Sequence, residues 1–455
     1  MATVLAILAT SVAVWAQDVV PSPKIANPLT IDEALALAFA YNPDLGIATA
    51  QVNKARGLVE EAHARFMPSF NAQVSQLYQG PAVSFEVSPG NNVNIIPPSQ
   101  TSAQASVFLP LDVSGRLHYA SVMAKDQFQI NYLGLLRVSE QLIAQVKRNY
   151  YEVLRASGQA ETAQAAVDVA GVRLKNTQAR FEAGTVPKFD VTTAQVDLAN
   201  LNQQLIAAQS RVNIAQANLN RVLGISPDAS TQVAKVEVPV TVTDVDIPAS
   251  AKAARAARPE VKIQQQSIAL NKANIRLQRT GLLPTLGISA AYKFVSTQSF
   301  SSANMSYDAV ATVSMPIWDG GVTKAKVDQA YGDLQAANAT LDQTQLMVSQ
   351  EVSTAALTLE EAAKRTKTTA DSVALAEEAL RLANVRYEAG IAVLVEVTNA
   401  ESQLTQARFN LVNAQYDYAI ALADLQRATA SQPELAKLRL IDCSAMLKTA
   451  PKPAK

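Results

Sequence analysis

The chain is a tandem duplication, and this constrains its fold more than any other feature. Arg180-Phe181-Glu182-Ala183-Gly184 matches Arg386-Tyr387-Glu388-Ala389-Gly390 at an offset of 206 residues. The same offset carries Val107, Leu109 and Pro110 onto Val313, Met315 and Pro316. Pro110 therefore lies 74 residues before Gly184, as Pro316 does before Gly390. Equal spacing between such landmarks means that a rigid element separates them. Further upstream, Pro43-Asp44-Leu45 matches Pro259-Glu260-Val261 and Pro68 matches Pro284, both at an offset of 216. The ten-residue difference falls between Pro68 and Pro110, where the first copy has the longer loop.

Each copy reads as helix, strand, strand, very long helix, turn, helix. The first helix opens at Thr30-Ile31-Asp32-Glu33, a Thr N-cap with Glu at the third helical position, and is expected to run to about Arg65. The last helix of each copy carries an apolar heptad: Val191, Leu198, Leu205, Val212 and Leu219 in one, Val397, Leu404, Leu411, Tyr418 and Leu425 in the other. The long helix of the second copy repeats Val327, Leu334, Leu341, Val348, Ala355 and Ala362 at the same spacing. A seven-residue repeat held over this length gives a left-handed coiled coil. From Gly321 to Tyr387 the helix would extend roughly 100 Å, longer than a compact domain needs.

Between the first and long helices the period changes to two. Phe70, Ala72 and Val74 alternate with Asn71, Gln73 and Ser75, and Ala103, Ala105, Val107, Leu109 and Leu111 with Gln104 and Ser106. In the second copy Leu286, Ile288, Ala290, Tyr292 and Phe294 form one such run, and Tyr307, Ala309, Ala311, Val313, Met315 and Ile317 another. These are strands with one apolar face, each near the ~10 residues that cross a bilayer when tilted. Pro81 to Gln100 and Ser296 to Ser306 read as connecting loops. Four strands cannot close a barrel, and an open edge in hydrocarbon leaves backbone groups unpaired, whereas three chains supply enough strands.

Composition narrows the function classes. Lys+Arg 39 balances Asp+Glu 39, so no net field draws nucleic acid. The single cysteine, Cys443, has no partner for a disulfide, and His63 and His118 are isolated, so no metal-ligand spacing is present. No nucleophile with a base and no phosphate loop is found, so an enzyme is the weakest reading, and no cofactor is expected. Met1 to Trp15 is apolar or small and uncharged, and Val14-Trp15-Ala16 offers small residues for a signal peptidase, although a positive n-region is missing. The expected organisation is a signal peptide over 1–16, a linker over 17–28, a first repeat over 29–228, a linker over 229–248, a second repeat over 249–430 and a tail over 431–455.

These residues resemble the TolC family of outer-membrane efflux channels. Leu29-Thr30-Ile31-Asp32-Glu33-Ala34-Leu35 with Asn42-Pro43-Asp44-Leu45 is similar to that family's first-helix signature. Pro316-Ile317-Trp318-Asp319-Gly320-Gly321 is similar to its strand-to-long-helix junction, and Arg-aromatic-Glu-Ala-Gly occurs where the family turns at its tunnel tips. The resemblance covers roughly Leu29 to Thr429. It implies an α+β membrane protein: a trimer with a 12-stranded β-barrel in the outer membrane lipid and a coiled-coil α-helical tunnel in the periplasm. It further implies a periplasmic adaptor and an inner-membrane transporter as partners, docking at tips that carry Arg180, Gly184, Thr185, Arg386, Gly390 and Ile391. The family's pore constriction maps to Asp190, Tyr387, Glu396 and Asn399. Asn399 replaces a carboxylate there, and Ala392 replaces a basic residue that helps lock the best-known member shut. For Asp190 and Glu396 a second reading stands beside gating: a carboxylate in a helix's first turn is favoured by the dipole alone. No cysteine follows the signal-like segment, which argues against the family's lipid-anchored branch. The competing class is a soluble or surface coiled-coil scaffold or adhesin, against which the paired strands in both copies speak.

Overall fold

A computed structural model describes residues 28–81, 83–88, 91–96, 99–236, 239–241, 245–296 and 304–434. The expected signal peptide, the linker after it up to residue 27, Cys443 and the tail beyond Glu434 lie outside the described residues. In chain order the elements are α1 (Ile31–Tyr41), α2 (Pro43–Ala64), β1 (Ser69–Tyr78), β2 (Val83–Ser88), β3 (Asn91–Ile96), β4 (Ser99–Leu111), α3 (Arg116–Glu182) and α4 (Lys188–Leu223). The second copy follows as α5 (Ile247–Ala257), α6 (Pro259–Arg279), β5 (Thr285–Val295), β6 (Met305–Ser314), α7 (Val322–Glu388) and α8 (Leu394–Ala428).

Two expectations are corrected. The first helix is not continuous to Arg65: it breaks at Asn42-Pro43, and its counterpart breaks at Arg258-Pro259. Proline disfavours the helical region for the residue before it, and Asn42 (ψ 124°) and Arg258 (ψ 135°) are extended accordingly. The segment from Pro81 to Gln100 is not a plain loop either. Within it β2 and β3 pair antiparallel, and β4 already begins at Ser99.

The described residues divide into two compact units, one within Met1–Asn42 and Asn149–Glu237, the other within Pro43–Arg148 and Val238–Lys455. In the first, Thr30 and Glu33 form a reciprocal capping box at the start of α1. The backbone of Leu29 is held between Gln232 and Ala234 (2.7 and 2.9 Å). The Tyr150 hydroxyl lies against the carbonyls of Leu29 and Ala234, at 3.0 and 2.8 Å. Asn42 donates from its amide to the Val222 carbonyl at 2.8 Å. α4 ends at Gly224 (φ 77°), where an added Cβ would stand 2.3 Å from the Tyr41 carbonyl oxygen. Arg173 of α3 is paired with Asp197 of α4.

In the second unit α2 buries Ala48, Val52, Ala55 and Val59 against Phe128 and Leu135 of α3. α8 turns one seam toward α7, with Val397, Leu404 and Tyr418 buried at one heptad position and Ala400, Ala407, Ala414, Ala421 and Ala428 at another. α7 answers with Val352, Leu359, Ala362, Ala363 and Thr366, while its buried Ala330, Ala337 and Thr344 lie in the half that runs along α6. Alanine at every such α8 position keeps side-chain bulk out of the seam and costs little helix propensity. Where α6, α7 and α8 meet, Arg258 is 2% exposed and bridges Glu260 (3.0 Å) and Glu351 (2.5 Å), and Arg427 reaches Glu351 at 3.5 Å. Glu140 of α3 faces this cluster. Its burial, and secondarily the charge of Glu260, push its pKa from the ordinary 4.5 up to about 7 against the opposing pull of Arg258, Lys262 and Arg427. Lys147, about two turns beyond, is buried on Glu434 (2.7 Å) and Gln426 (2.8 Å).

The four long strands form one antiparallel sheet in the order β1-β4-β5-β6. Register assigns its faces. Phe70, Val107, Ala290 and Ala309 make one row, and Ala72, Ala105, Tyr292 and Tyr307 the next, on an apolar face. Asn71, Ser106, Ala291 and Asp308, then Gln73, Gln104, Lys293 and Ser306, lie on the other. Every residue of β1 and β6 is exposed, with Phe70 at 80% and Tyr307 at 85%. Phe108 is an exception to the pattern, an aromatic on the polar face. Its ring covers Gly287, where a Cβ would meet it at 2.6 Å. The passage from strand to helix is made by carboxylates. Asp112 accepts from Leu117 N and His118 N (3.2 and 2.7 Å), and Asp319 from Gly321 N and Thr323 N (3.0 and 2.7 Å). The Thr323 hydrogen bonds hold the Asp319 carboxyl below its usual pKa. Gly320 and Gly321 take positive φ (68° and 88°) to make that turn. No helix among the described residues is long and apolar enough to cross a membrane.

Two measurements test this packing. Ala430 (φ 52°) occupies in the second copy the left-handed position that Gly224 holds in the first. Ala430→Gly should stabilise by up to about 1 kcal/mol by relieving left-handed strain. Gly224→Ala should destabilise by more than about 1 kcal/mol, both from that strain and from the collision with Tyr41. Denaturant titration in detergent reads both. For Glu140, a raised folded-state pKa means that its contribution is fully present below pH 4.5 and is lost as pH rises through about 7. Glu140→Gln should therefore flatten the decline in stability across that window and leave the variant more stable than the parent at pH 8.

Candidate functional site: two hairpin tips

The repeated Arg-aromatic-Glu-Ala-Gly segments are helix C-caps. At the first, Gly184 (φ 74°) donates to the Phe181 carbonyl and Thr185 to the Arg180 carbonyl, each at 2.9 Å. At the second, Gly390 (φ 71°) donates to Tyr387 at 3.0 Å and Ile391 to Arg386 at 2.9 Å. Each is a paired 6→1 and 5→2 bond set closed by a left-handed residue, so glycine is required by backbone conformation. The Thr185 hydroxyl adds a third bond to the Arg180 carbonyl (2.9 Å), and at the second tip Ala392 N reaches the Arg386 carbonyl at 3.2 Å.

The chain re-enters helix at Pro187 and Val393, the N-caps of α4 and α8, both extended (ψ 157° and 155°). Neither supplies a side-chain cap. Asp190 and Glu396 are the acidic residues of the first turns that follow, where free N–H groups and the dipole favour negative charge. At the second tip the Arg386 guanidinium stands 3.2 Å from the Glu396 carboxylate. Tyr387 is half-buried, Asn399 is exposed on α8, and Ile391 is 73% exposed at the loop apex. Phe189 at the first tip and Val393 at the second are also largely exposed. Arg386, one of the residues expected to dock the adaptor, also has its side chain on the acid. The signal for that pairing was an arginine three residues from a helix end and a glutamate three residues into the next. Neither motif marked it.

A duplicated protomer with a four-stranded sheet, an apolar sheet face and two glycine-capped helical hairpins defines a TolC-like outer-membrane channel subunit. Comparison with known proteins agrees. The profile of the outer membrane efflux protein family matches residues 34–225 and 251–431. The outer membrane protein TolC of Vibrio cholerae is 25% identical over 442 residues, covering 91% of this chain and 94% of that protein. The outer membrane efflux protein BepC of Brucella suis is 26% identical over 410 residues, covering 88% and 79%. The Campylobacter jejuni CmeC outer membrane channel superposes with a TM-score of 0.77 at 16% identity, covering 91% and 90% of the two chains. The outer-membrane channel OprN gives 0.75 at 18%, covering 88% and 90%. The chain belongs to the outer membrane efflux protein family.

The tip geometry is open to direct test. Gly184→Val and Gly390→Val force a β-branched residue into the left-handed region at about 1–2 kcal/mol. Hydrogen exchange should show lost protection at the Thr185 and Ile391 amides while the α2–α3 core stays protected. Undiminished protection at those two amides would refute the capping geometry.

Proposed function

We propose that three copies of this chain close a 12-stranded barrel in the outer membrane and form the passive exit duct of a tripartite efflux or type I secretion system. The observation that carries this reading is the sheet. Its two edge strands are unpaired within the described chain, yet one of its faces is apolar across all four strands. Strands of 10, 13, 11 and 10 residues match the ~9–11 of a tilted membrane strand. In hydrocarbon such edges must be paired. Pairing β1 of one copy with β6 of the next satisfies both edges. A soluble scaffold would leave the same apolar face in water.

The partners of this reading are a periplasmic adaptor and an inner-membrane transporter. The adaptor meets the tips through Arg180, Gly184, Thr185, Arg386, Gly390 and Ile391, and Asp190, Tyr387, Glu396 and Asn399 line the entrance. Relatives are named for cobalt-zinc-cadmium resistance, alkaline protease secretion and pyoverdine export. Cargo choice then belongs to the transporter, and the duct itself is general.

Purified protein should be trimeric and conduct ions in a planar bilayer; a monodisperse water-soluble monomer without conductance would end the reading. Glu396→Gln should move the reversal potential in a salt gradient toward anion preference with little change in thermal stability. Unchanged selectivity with a clear loss of stability would make Glu396 a helix-start residue only.

A further inference from the structure

Arg386 is held at the base of the second tip by its own backbone. Its carbonyl accepts both Ile391 N and Ala392 N, so its side chain starts from a fixed point on the loop. From there the guanidinium reaches Glu396 at 3.2 Å, across a connection of five residues. Between Arg381 and Arg408 the second hairpin contains Glu388, Glu396 and Glu401 and a single cation, Arg386. Both partners are about half exposed, 56% and 42%, so the pair adds little stability. Its effect is on the field. A carboxylate with a cation at contact acts at a distance as a dipole, whose potential falls off faster than that of a charge. Beyond a Debye length of about 8 Å little of it remains.

We propose that Arg386 sets the ion selectivity of the duct entrance by neutralising Glu396, so that the threefold ring of carboxylates is charge-compensated from within each tip. This rests on the reading of Glu396 as an entrance residue. It makes the ring's cation preference latent: any step that draws Arg386 away exposes three carboxylates in a narrow passage, where like charges concentrate cations.

The test is reversal potential and trivalent-cation block in planar bilayers for the parent trimer, R386Q, E396Q and the double variant R386Q/E396Q. R386Q removes the cation and keeps the cap, whose bonds are made by the backbone carbonyl of residue 386. R386Q should raise cation preference and lower the blocking concentration of lanthanum about tenfold at low salt, with the gain fading at 1 M, where screening is about 3 Å. E396Q should shift selectivity toward anions, and the double variant should return to parental values. If E396Q shifts selectivity but R386Q does not, the carboxylates already act uncompensated and the proposal falls while the entrance reading stands. If neither variant shifts it, the entrance reading itself fails. A double variant that stays cation-preferring would show that Arg386 acts through another group. A rise in single-channel conductance at 1 M without a change of selectivity would show a mechanical latch. Either of these last results overturns the proposal.

Discussion

A strand that faces hydrocarbon cannot leave its backbone N–H and C=O groups unpaired, and this requirement organises the molecule. β1 and β6 each present a whole edge among the described residues, and the proposed assembly pairs these edges between copies. The strands need be no longer than a bilayer is thick, and every turn back into helix occurs at one end of the sheet. There the chain must exchange a sheet's hydrogen bonds for a helix's within a few residues. Asp112 and Asp319 make the exchange by accepting the first free amides of α3 and α7. Positive φ at Gly115, Gly320 and Gly321 lets the chain turn sharply enough for those carboxylates to reach.

The helical half obeys a different economy. A 67-residue helix cannot be held by a single core, so stability is distributed along a seam of small contacts, with α8 giving alanine at five successive heptad positions. Larger side chains are concentrated where several helices meet, around Val348, Val352 and Ala428, and around Leu359 and Tyr418. Toward the tip the α7 seam thins: beyond Thr366 none of its residues is fully buried. The tips are therefore held more by local capping bonds than by packing, and Arg386 and Glu396 sit where small displacements cost little.

Much of this was legible in the sequence because its signals are local. Proline and glycine landmarks gave the duplication, heptads gave α7 and α8, and alternation gave β1, β4, β5 and β6 with the correct faces. What was missed depends on choices that local signals do not settle. The Asn42-Pro43 and Arg258-Pro259 breaks were written in the prolines, but the helical pattern on either side concealed them. The β2–β3 hairpin lies in a stretch whose Gly and Pro content reads as loop. Phe108 violates the alternation because its ring is accommodated by Gly287 on the neighbouring strand, a relation visible only in register. The Arg386–Glu396 pair needed the loop conformation to bring the two ends together.

Asn42 and Arg258 occupy equivalent places before the same proline, both nearly enclosed at 8% and 2% exposure, yet they solve burial differently. The Asn42 amide is neutral and donates to the carbonyl of Val222. The guanidinium needs two carboxylates, Glu260 and Glu351, and the matching sequence positions of the first copy are Asp44 and Gln145. A recombination event that copied arginine alone into the first half would bury a charge short of one partner, at a cost of several kcal/mol. At this one position the two halves of the duplication have diverged, so that the arginine suits the interior of the second and not that of the first.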